Sequence, residues 1–323
     1  MKDLFLPVLS QMLYLFAFIA IGYLLVQIRA VPQGSETVLS KLENTLFLPA
    51  TVMVTFMTDF TVERLTGSWQ LLLGSFALAL ILIPVAVFVA KCCFREVYLQ
   101  RITTYCLTFS NFGFMGLAVV PAAFPELELA YTVATLPFWA MIYAWGVPVL
   151  LISSSAQGQT VPLGKRLRAF ANPMMAGMLI GLVLGLTGAG AHLPAFVTSA
   201  LSAGKACMSP IAMLLTGMTV AKINIRNLLR KWQLYAITLI KLVGQPLLFL
   251  LICLILPKNE LFDPTFLTCA FCITCMPAGL NAIVVPAGYG KDTSDAAGLA
   301  LITHLLSVIT IPLLFTLFTK TVL

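Results

Sequence analysis

Apolar blocks of about 20 residues recur along the whole chain, and they constrain its fold more than any other feature. Each block is long enough to cross roughly 30 Å of hydrocarbon as a helix. The blocks cover residues 4–27, 38–58, 69–90, 101–122, 129–153, 172–190, 196–220, 232–256, 264–288 and 294–319. The sequence therefore predicts an all-α membrane protein with ten transmembrane helices.

Composition agrees with this prediction and excludes several other classes of protein. Of the 323 residues, 60% are hydrophobic and only 10% are charged, against about 25% charged in an average soluble domain. A secreted, disordered, fibrous or cytosolic chain does not have this composition. The net charge of +7 is scattered over short connections with no basic run among aromatic residues, so the lipid bilayer and not a nucleic acid is the expected partner.

The placement of basic residues predicts the orientation in the membrane. Twelve lysines and arginines lie in the connections after spans one, three, five, seven and nine, and four lie on the opposite side. Because basic connections stay in the cytoplasm, both termini should lie on the non-cytoplasmic side. The basic residues of the first group are Arg29, Lys91, Arg95, Arg101, Lys165, Arg166, Arg168, Lys222, Arg226, Arg230, Lys231 and Lys291; those of the second are Lys2, Arg64, Lys258 and Lys320.

Proline spacing indicates an internal repeat. Residues 117–124 (LAVVPAAF) resemble residues 282–289 (AIVVPAGY) at an offset of 165. Three more proline pairs recur at offsets of 161, 162 and 164, namely Pro49 with Pro210, Pro84 with Pro246, and Pro148 with Pro312. Each half holds five spans, an odd number, so the two halves must be inverted relative to each other. Two inverted five-helix repeats are typical of secondary transporters, with the substrate held near the midplane.

Spans four and nine carry the strongest local signal for a binding site. Residues 108–116 (TFSNFGFMG) and 274–281 (TCMPAGLN) place an asparagine and helix-weakening glycine or proline in the middle of an apolar span. A broken helix in lipid frees main-chain groups and directs a partial positive charge from the second half-helix. Two such ends, with Asn111 and Asn281 as donors, suit a carboxylate. Glycine and proline also serve ordinary helix packing, which is the alternative interpretation.

Among the ionisable residues inside predicted spans, three are candidates for a function, because a charge inside a membrane costs free energy. Glu43 and Lys205 precede the paired prolines Pro49 and Pro210, so each either contacts substrate or coupling ion at one end of the pathway or extends its charge to the membrane surface. His304 is a possible proton-coupling residue or a hydrogen-bonded packing histidine. The candidate substrate-binding residues are therefore Asn111, Phe112, Gly113, Met276, Pro277, Asn281, Lys205 and Glu43.

No motif for catalysis, a metal or another cofactor is found in the sequence. Cys269, Cys272 and Cys275 have the spacing of an iron–sulfur run but lack its fourth cysteine, and apolar residues flank them. We therefore expect no cofactor and no enzymatic activity; a coupling ion, either a proton or sodium, stays open. Asn172 followed by Pro173 predicts a capped helix start, and Asp292 and Asp295 predict acids at the start of span ten.

The motifs of spans four, nine and ten resemble the auxin efflux carrier family. They are residues 110–117 (SNFGFMGL), 276–282 (MPAGLNA), 289–292 (YGKD) and 310–313 (TIPL), and the resemblance covers the whole chain. The family includes plant auxin carriers and bacterial proteins described as malate or malonate permeases, and its fold is related to that of the bile acid:sodium symporters. The long central hydrophilic loop of many plant carriers is absent here.

The resemblance implies a division of the chain into two bodies. Residues 1–66 and 172–228 (spans 1, 2, 6 and 7) would form a scaffold, 154–171 a cytoplasmic linker, and 67–153 with 229–323 a transport domain. Spans 4 and 9 would be broken and would cross at the substrate site; we call residues 108–116 and 274–281 the crossing. Because Phe112 stands where span nine has Pro277, the break in span four would depend on Gly113 and Gly116. An elevator-type movement within a homodimer in the cell membrane would follow.

These features favour a secondary carrier for a small organic anion, such as an auxin-like monocarboxylate, malate or malonate. A sodium-coupled carrier like the bile acid symporters is the alternative. A channel also fits inverted repeats with broken helices, and unitary conductance would distinguish it. A membrane-embedded enzyme fits less well, because such chemistry needs clustered acids with a metal, and eleven of the twelve acids lie in connections or at span ends.

Overall fold

Helices account for nearly all of the residues that the computed structural model describes, which are 2–152, 172–222, 230–255 and 263–322. No strand occurs within these ranges. The described ranges do not include the proposed linker 154–171, with Lys165, Arg166 and Arg168, nor Arg226 and Lys258. The α-helices are α1 (Lys2–Gln27), α2 (Ser35–Leu42), α3 (Leu48–Asp59), α4 (Val62–Gly67), α5 (Trp69–Cys93), α6 (Val97–Thr108), α7 (Leu117–Ala123), α8 (Glu128–Met141), α9 (Pro173–Thr187), α10 (Ala195–Val220), α11 (Trp232–Leu239), α12 (Gln245–Ile255), α13 (Pro264–Cys275), α14 (Asn281–Gly288) and α15 (Ser294–Thr321).

Within the described ranges, five helical stretches are long and apolar enough to cross a membrane. They are Leu6–Gln27, Trp69–Cys93, Pro125–Ile152, Trp232–Ile255 and Ser294–Thr321. Shorter apolar helices cover Phe112–Ala123, Pro173–Thr187 and Pro264–Cys275. The prediction of a helical membrane protein is therefore confirmed.

Wider, π-helical turns join several of the α-helices next to prolines. They cover Glu43–Phe47, Phe112–Gly116, Ile142–Ile152 and Ile240–Gly244. Pro49 and Pro246 follow two of these turns closely, and Pro148 lies within a third. A proline cannot donate the main-chain hydrogen bond to the residue four positions earlier, so the helix is locally free to widen. Long spans thereby continue through proline instead of ending there.

The start of α9 follows the sequence prediction. The side chain of Asn172 accepts a hydrogen bond from the main-chain N–H of Met175 at 2.9 Å, and Pro173 is the first helical residue. An Asn cap of this kind satisfies one of the four donors that lack an intrahelical partner. The predicted helix start is confirmed.

Close main-chain contacts join α1, α3, α9 and α10. A Cβ atom on Gly177, Gly181 or Gly185 of α9 would lie 2.5–2.6 Å from a main-chain carbonyl oxygen of α3. On the other pair, a Cβ on Gly217 of α10 would lie 1.9 Å from the carbonyl oxygen of Ile19 in α1. Spacing small residues four apart is how membrane helices approach most closely. These four helices therefore pack tightly through glycine faces.

The distribution of apolar and charged side chains is the reverse of that in a soluble protein. Apolar side chains are exposed on the outer faces of the helices, with Phe88 at 70% and Ile309 at 61% exposure. Glu43, Lys241 and His304 are 0–1% exposed. Since hydrocarbon accepts apolar groups and rejects charges, this distribution belongs to a protein embedded in a membrane.

Candidate functional site

Two non-helical segments meet at the centre of the structure. Helix α6 ends at Thr108 and the next turn begins at Phe112, while α13 ends at Cys275 and α14 begins at Asn281. An antiparallel bridge joins Ser110 to Ala278. The main-chain N–H of Asn111 donates to the carbonyl oxygen of Pro277 at 2.7 Å. Residues far apart in sequence are thus held together by main-chain atoms.

The glycines of the first segment do not lie at its interruption, contrary to the expectation that the break depends on them. Gly113 and Gly116 lie inside the π-helical turn that follows residues 109–111. A Cβ on Gly113 would lie 2.4 Å from the ring of Trp139, and one on Gly116 would lie 2.1 Å from the hydroxyl of Tyr131. Their function in the fold is close packing against α8. The helix ends earlier, where Ser110 Oγ donates to the carbonyl oxygen of Ile273 at 2.5 Å.

A small cavity lies between the two segments. Its volume is about 10 Å³, which is room for roughly one water molecule. It brings together four of the predicted site residues. The lining consists of Tyr105, Ser110, Asn111, Phe112, Gly113, Phe114, Trp139, Ile142, Gly279, Leu280 and Asn281. The structure therefore has the crossing closed, and the cavity could hold a small organic molecule only after its walls move apart.

Several polar atoms around this cavity have no hydrogen-bond partner among the described residues. These include Oδ1 of both Asn111 and Asn281 and Nε1 of Trp139. Tyr105 and Tyr143 both lie beside Asn281. Unpaired polar atoms in an apolar core cost free energy, about 1–3 kcal/mol each. A concentration of them in one place indicates a site that a polar ligand or water would complete.

Met276 and Pro277 are buried but do not line the cavity. Both belong to the non-helical segment, and the carbonyl oxygen of Pro277 accepts the hydrogen bond from Asn111. The next N–H, that of Ala278, donates to Oγ1 of Thr303 at 3.3 Å. The structure therefore gives these two predicted residues a place in the connection between the segments and no direct exposure to the cavity.

His304 contacts the crossing directly. Its Nε2 lies 2.7 Å from Nδ2 of Asn111, and its Nδ1 lies 2.7 Å from the carbonyl oxygen of Ala300. Both side chains are 1% exposed. Of the ionisable residues predicted from the sequence, His304 is therefore the one that touches an asparagine of the site.

Glu43 is buried next to the crossing without lining the cavity. It is 0% exposed, and neither carboxylate oxygen has a hydrogen-bond partner among the described residues. It acts electrostatically on Tyr143, which in turn lies beside Asn281. Burial of this degree is inconsistent with a charge that extends to the membrane surface. Of the two interpretations of Glu43, the surface one is wrong.

Lys205 lies in a different, larger opening, which we call the vestibule. Its volume is about 610 Å³, within the size range of ligand pockets. Leu117 of α7, which also lines the vestibule, is five residues beyond Phe112, a rise of about 7–8 Å along a helix. The vestibule is lined by Thr58, Asp59, Arg64, Leu117, Pro121, Pro125, Glu126, Glu128, Leu129, Thr132 and Lys205.

Two groups of polar residues at the crossing were not predicted from the sequence. Lys241 is 1% exposed and its Nζ donates to Oε1 of Gln245 at 3.1 Å, while Nε2 of Gln245 donates to the carbonyl oxygen of Leu107 at 3.0 Å. On the other side, Ser40 Oγ and Asn44 Nδ2 both donate to the carbonyl oxygen of Val284, at 2.6 and 2.9 Å. In the sequence, the only sign of each pair is that its two polar residues stand four positions apart on a helix. The carbonyl oxygens that accept their hydrogen bonds lie more than 130 residues away, so this spacing does not identify them.

The cysteine run of span nine packs as apolar residues. Cys269, Cys272 and Cys275 are free and 0% exposed on α13. Within the described ranges, no group of three or more His, Cys, Asp and Glu side chains is placed to hold a metal ion. These sulfur atoms fill space among the helices.

Residues 289–292 (YGKD) form hydrogen bonds to the ends of neighbouring helices outside the crossing. Nζ of Lys291 donates to the carbonyl oxygens of Leu151 and Ile152 at 2.8 and 2.6 Å. Oδ1 of Asp292 accepts from the main-chain N–H and the hydroxyl of Ser294, the first residue of α15, at 2.9 and 2.6 Å. Asp295 pairs with Lys231. The prediction of acids at this helix start is confirmed.

Comparison with known families gives one finding. A family model described as "Membrane transport protein" matches residues 7–315, nearly the entire chain. A comparison with curated proteins finds no match. The matched range includes both segments of the crossing, the vestibule and His304.

Proposed function

Because the chain belongs to the membrane transport protein family, which includes the auxin efflux carriers, we propose that it is a secondary carrier for a small carboxylate anion. The observation that carries the proposal is the pair of asparagines, Asn111 and Asn281, in one buried cavity between two interrupted helical segments. Amides bind a carboxylate through N–H groups without burying a second full charge. The first N–H groups of the turn beginning at Phe112 have no intrahelical acceptor and add a partial positive charge.

The proposed substrate is a monocarboxylate with an apolar body, such as an auxin-like acid, or a short dicarboxylate such as malate or malonate. The rings of Phe112, Trp139 and Tyr105 around the two amides support the first kind, because they can pack against an apolar body. A dicarboxylate carries a second negative charge, which a cationic side chain would have to balance. Lys205 lies in the vestibule and would meet such a substrate during entry, before it reaches the crossing.

The proposed architecture is ten transmembrane helices in two inverted five-helix repeats with broken crossing helices 4 and 9. The helical segments of the structure fall within all ten predicted spans, which supports the count. The bridge between Ser110 and Ala278 supports the crossing, since it joins the interrupted segments of spans four and nine in antiparallel fashion. The proline pairs support the inversion.

The proposed mechanism is an elevator-type movement of a transport domain along a scaffold. The glycine faces between α1 and α10 and between α3 and α9 support a rigid scaffold from spans 1, 2, 6 and 7. The contacts of this group with the crossing include a hydrogen bond from Ser209 Oγ to the carbonyl oxygen of Phe114 at 3.1 Å. In the proposed movement this bond would have to break as the transport domain shifts along the scaffold.

We further propose a homodimer in the cell membrane with both termini on the non-cytoplasmic side. The dimer is proposed by analogy with the family alone. The orientation is supported by the twelve basic residues on one side against four on the other. The vestibule, near the ends of spans two and four, would then open to the non-cytoplasmic side.

Transport assays on purified protein in liposomes test the proposal. Malate, malonate and indole-3-acetate are applied separately to a solid-supported electrode, with and without sodium, and radiolabel exchange follows for electroneutral transport. We expect saturating transport of one of these anions. Transport that requires sodium would favour the bile-acid-symporter-like alternative, and unitary conductance steps would favour a channel. No transport of any of the three anions by either method would contradict the carboxylate substrate.

The asparagine site has its own prediction. Replacing Asn281 by Ala removes an amide from the cavity, and we expect transport to be lost while the folded yield is unchanged. Gln33→Ala is the matched control, because it removes an exposed amide in the connection between α1 and α2. Wild-type transport by Asn281→Ala would contradict the crossing as the substrate site.

A further inference from the structure

The contact between Asn111 and His304 has only one consistent arrangement of protons when the imidazole is neutral. Nδ1 of His304 lies 2.7 Å from the carbonyl oxygen of Ala300, and a carbonyl oxygen only accepts, so Nδ1 carries the proton. Nε2 is then an acceptor. The Asn111 group at 2.7 Å must therefore be the Nδ2 amide nitrogen, which donates to it. Chemistry fixes the orientation of this amide.

This orientation leaves the wrong atom of Asn111 available for an anion. Its Oδ1 has no hydrogen-bond partner among the described residues, although Asn111 is 1% exposed. Asn111 also lines the cavity between the two segments. With Nδ2 engaged by His304, the amide offers an unpaired oxygen with a partial negative charge. A carboxylate would be repelled by that oxygen.

We propose that His304 is the proton-binding site of the carrier, and that its protonation turns the Asn111 amide so that Nδ2 can donate to the bound anion. The added proton goes to Nε2, which becomes a donor. Oδ1 of Asn111 then accepts from Nε2–H, and Nδ2 is released. No other bond forms or breaks. The inference rests on the proposed function and specifies its coupling ion.

The fold permits this rotation without a main-chain movement. The main-chain N–H of Asn111 donates to Pro277, and its carbonyl oxygen accepts from the N–H groups of Met115 and Gly116 at 3.2 and 3.0 Å. The main chain is thereby held on both sides. Only the terminal amide of Asn111 has to turn. Its hydrogen bond from Nδ2 to Nε2 of His304 is then replaced by one from Nε2–H of His304 to Oδ1.

The neighbouring ionisable side chains that the structure describes do not interact with the imidazole of His304. The elements packed against α15 are α1, α10, α11, α12, α13, α14 and the turn Ile240–Gly244. Within the described ranges none of their ionisable side chains acts electrostatically on His304, whose interactions are burial and the hydrogen bond to Ala300. Glu43, the buried acid next to the crossing, does not act electrostatically on His304 either, so a carboxylate in the cavity would be the first negative charge to do so. These ionisable side chains are Tyr14, Tyr23, Lys205, Cys207, Tyr235, Lys241, Cys253, Cys269, Cys272 and Cys275.

Anion and proton must then bind cooperatively. An imidazolium and a carboxylate in the same buried site neutralise each other, which lowers the cost of carrying either through the membrane. Coupling between two ligands is reciprocal, so anion binding takes up a proton and low pH tightens anion binding. One coupled proton changes the Kd by up to about tenfold per pH unit.

Isothermal titration with indole-3-acetate, malate and malonate tests the inference on purified protein between pH 5.5 and 8. Repeating each titration in buffers of different ionisation enthalpy gives the number of protons taken up per anion. We expect close to one for the wild type over part of this range, and close to none, with a pH-independent Kd, for His304→Gln. His192→Gln is the matched control, since it alters the other histidine of the chain, which is exposed, and it should behave as the wild type.

A second measurement leaves His304 intact. In the His192→Gln variant the ring nitrogens of His304 give the sole histidine ¹⁵N signals, and we expect Nε2 to become protonated when the anion binds. Anion binding with no proton uptake and no change in these signals would overturn the inference and leave the proposed carrier standing. Absence of anion binding at every pH would contradict the carboxylate substrate and the inference together.

Discussion

Ser40, Ser110 and Gln245 each direct a buried side chain to a main-chain carbonyl of another helix. In a membrane no water is available to satisfy a carbonyl that a helix leaves unpaired, so each such group costs several kcal/mol unless a side chain reaches it. These residues stabilise the ends and irregular turns of their neighbours. Single polar residues thereby allow an interrupted helix to exist in an apolar core.

Asp292 provides a prediction at the residue scale. Its hydrogen bonds from the hydroxyl and the main-chain N–H of Ser294 hold the pKa of this carboxyl below its usual value. Since the folded pKa is lower than the unfolded one, the ionised group stabilises the fold above the unfolded pKa, and this contribution is lost as the pH falls through the folded pKa. Asp292→Ala should lower the free energy of unfolding by about 1 kcal/mol at pH 7, as removal of a helix-start acceptor does.

Thermal unfolding of Asp292→Ala in detergent, measured at pH 7 and near pH 3.5, checks this prediction. The difference from the wild type should shrink at the lower pH, where the wild-type carboxyl is also becoming neutral. Asp292→Asn is the matched control, because it keeps an acceptor for Ser294 and does not titrate. An equal loss of stability for both variants at both pH values would contradict the role assigned to the charge.

Sequence reasoning identified Asn111, Asn281 and His304, because a polar residue in the middle of an apolar span is visible by itself. It did not identify Lys241 as part of the crossing. The reason is physical: Lys241 reaches the end of α6 only through Gln245, whose acceptor Leu107 is 138 residues away. A local pattern does not encode which distant carbonyl a buried side chain will meet.

At the scale of elements, the two segments of the crossing stabilise each other. Neither ends its helix through its own residues alone: Ser110 donates to Ile273, and Asn111 donates to Pro277. The sequence located both interrupted spans, and it placed the break of span four too late, at Gly113 and Gly116. The information that ends α6 at Thr108 lies in the partner segment, which explains the error.

Gly279 provides a prediction at this scale. A Cβ atom there would lie 2.6 Å from the carbonyl oxygen of Phe109, a main-chain atom that has little freedom to move. Gly279→Ala should therefore force the segments apart, lower the free energy of unfolding by about 1–3 kcal/mol and reduce transport. Thermal unfolding and liposome transport measure the two effects.

Gly67→Ala is the control for that substitution, because a Cβ on Gly67 of α4 would meet nothing within 4 Å. We expect a change within about 0.5 kcal/mol and normal transport. If Gly279→Ala matched Gly67→Ala in both measurements, the close approach of the two main chains would not matter to the fold or to transport.

For the molecule as a whole, the structure has two spaces of very different size. The vestibule holds about 610 Å³ and the crossing about 10 Å³, and both are lined in part by the helical stretch Phe112–Ala123. The first is large enough for a small organic molecule and the second is not. In the proposed carrier, a rigid-body movement would have to open the crossing.

Lys205 provides a prediction for the whole path. Glu126 and Glu128 also line the vestibule, so Lys205 offsets their repulsion of an anion, and one unit charge at close range is worth about 1 kcal/mol in water. Lys205→Gln should raise the KM of the transported anion roughly fivefold at low ionic strength, less at high salt, and leave the maximal rate unchanged. Lys320→Gln, near the end of α15, is the control. A fall in maximal rate at constant KM would place Lys205 in the translocation step instead.

The bridge between Ser110 and Ala278 has a consequence for how such a carrier can diverge. Because main-chain atoms make the bridge and the neighbouring bond from Asn111 to Pro277, most side-chain replacements at these positions leave both bonds intact. In the proposed carrier, the rings and amides around the cavity can therefore differ between related chains while the main-chain connection between the two segments stays the same. A change of substrate then requires no change in that connection.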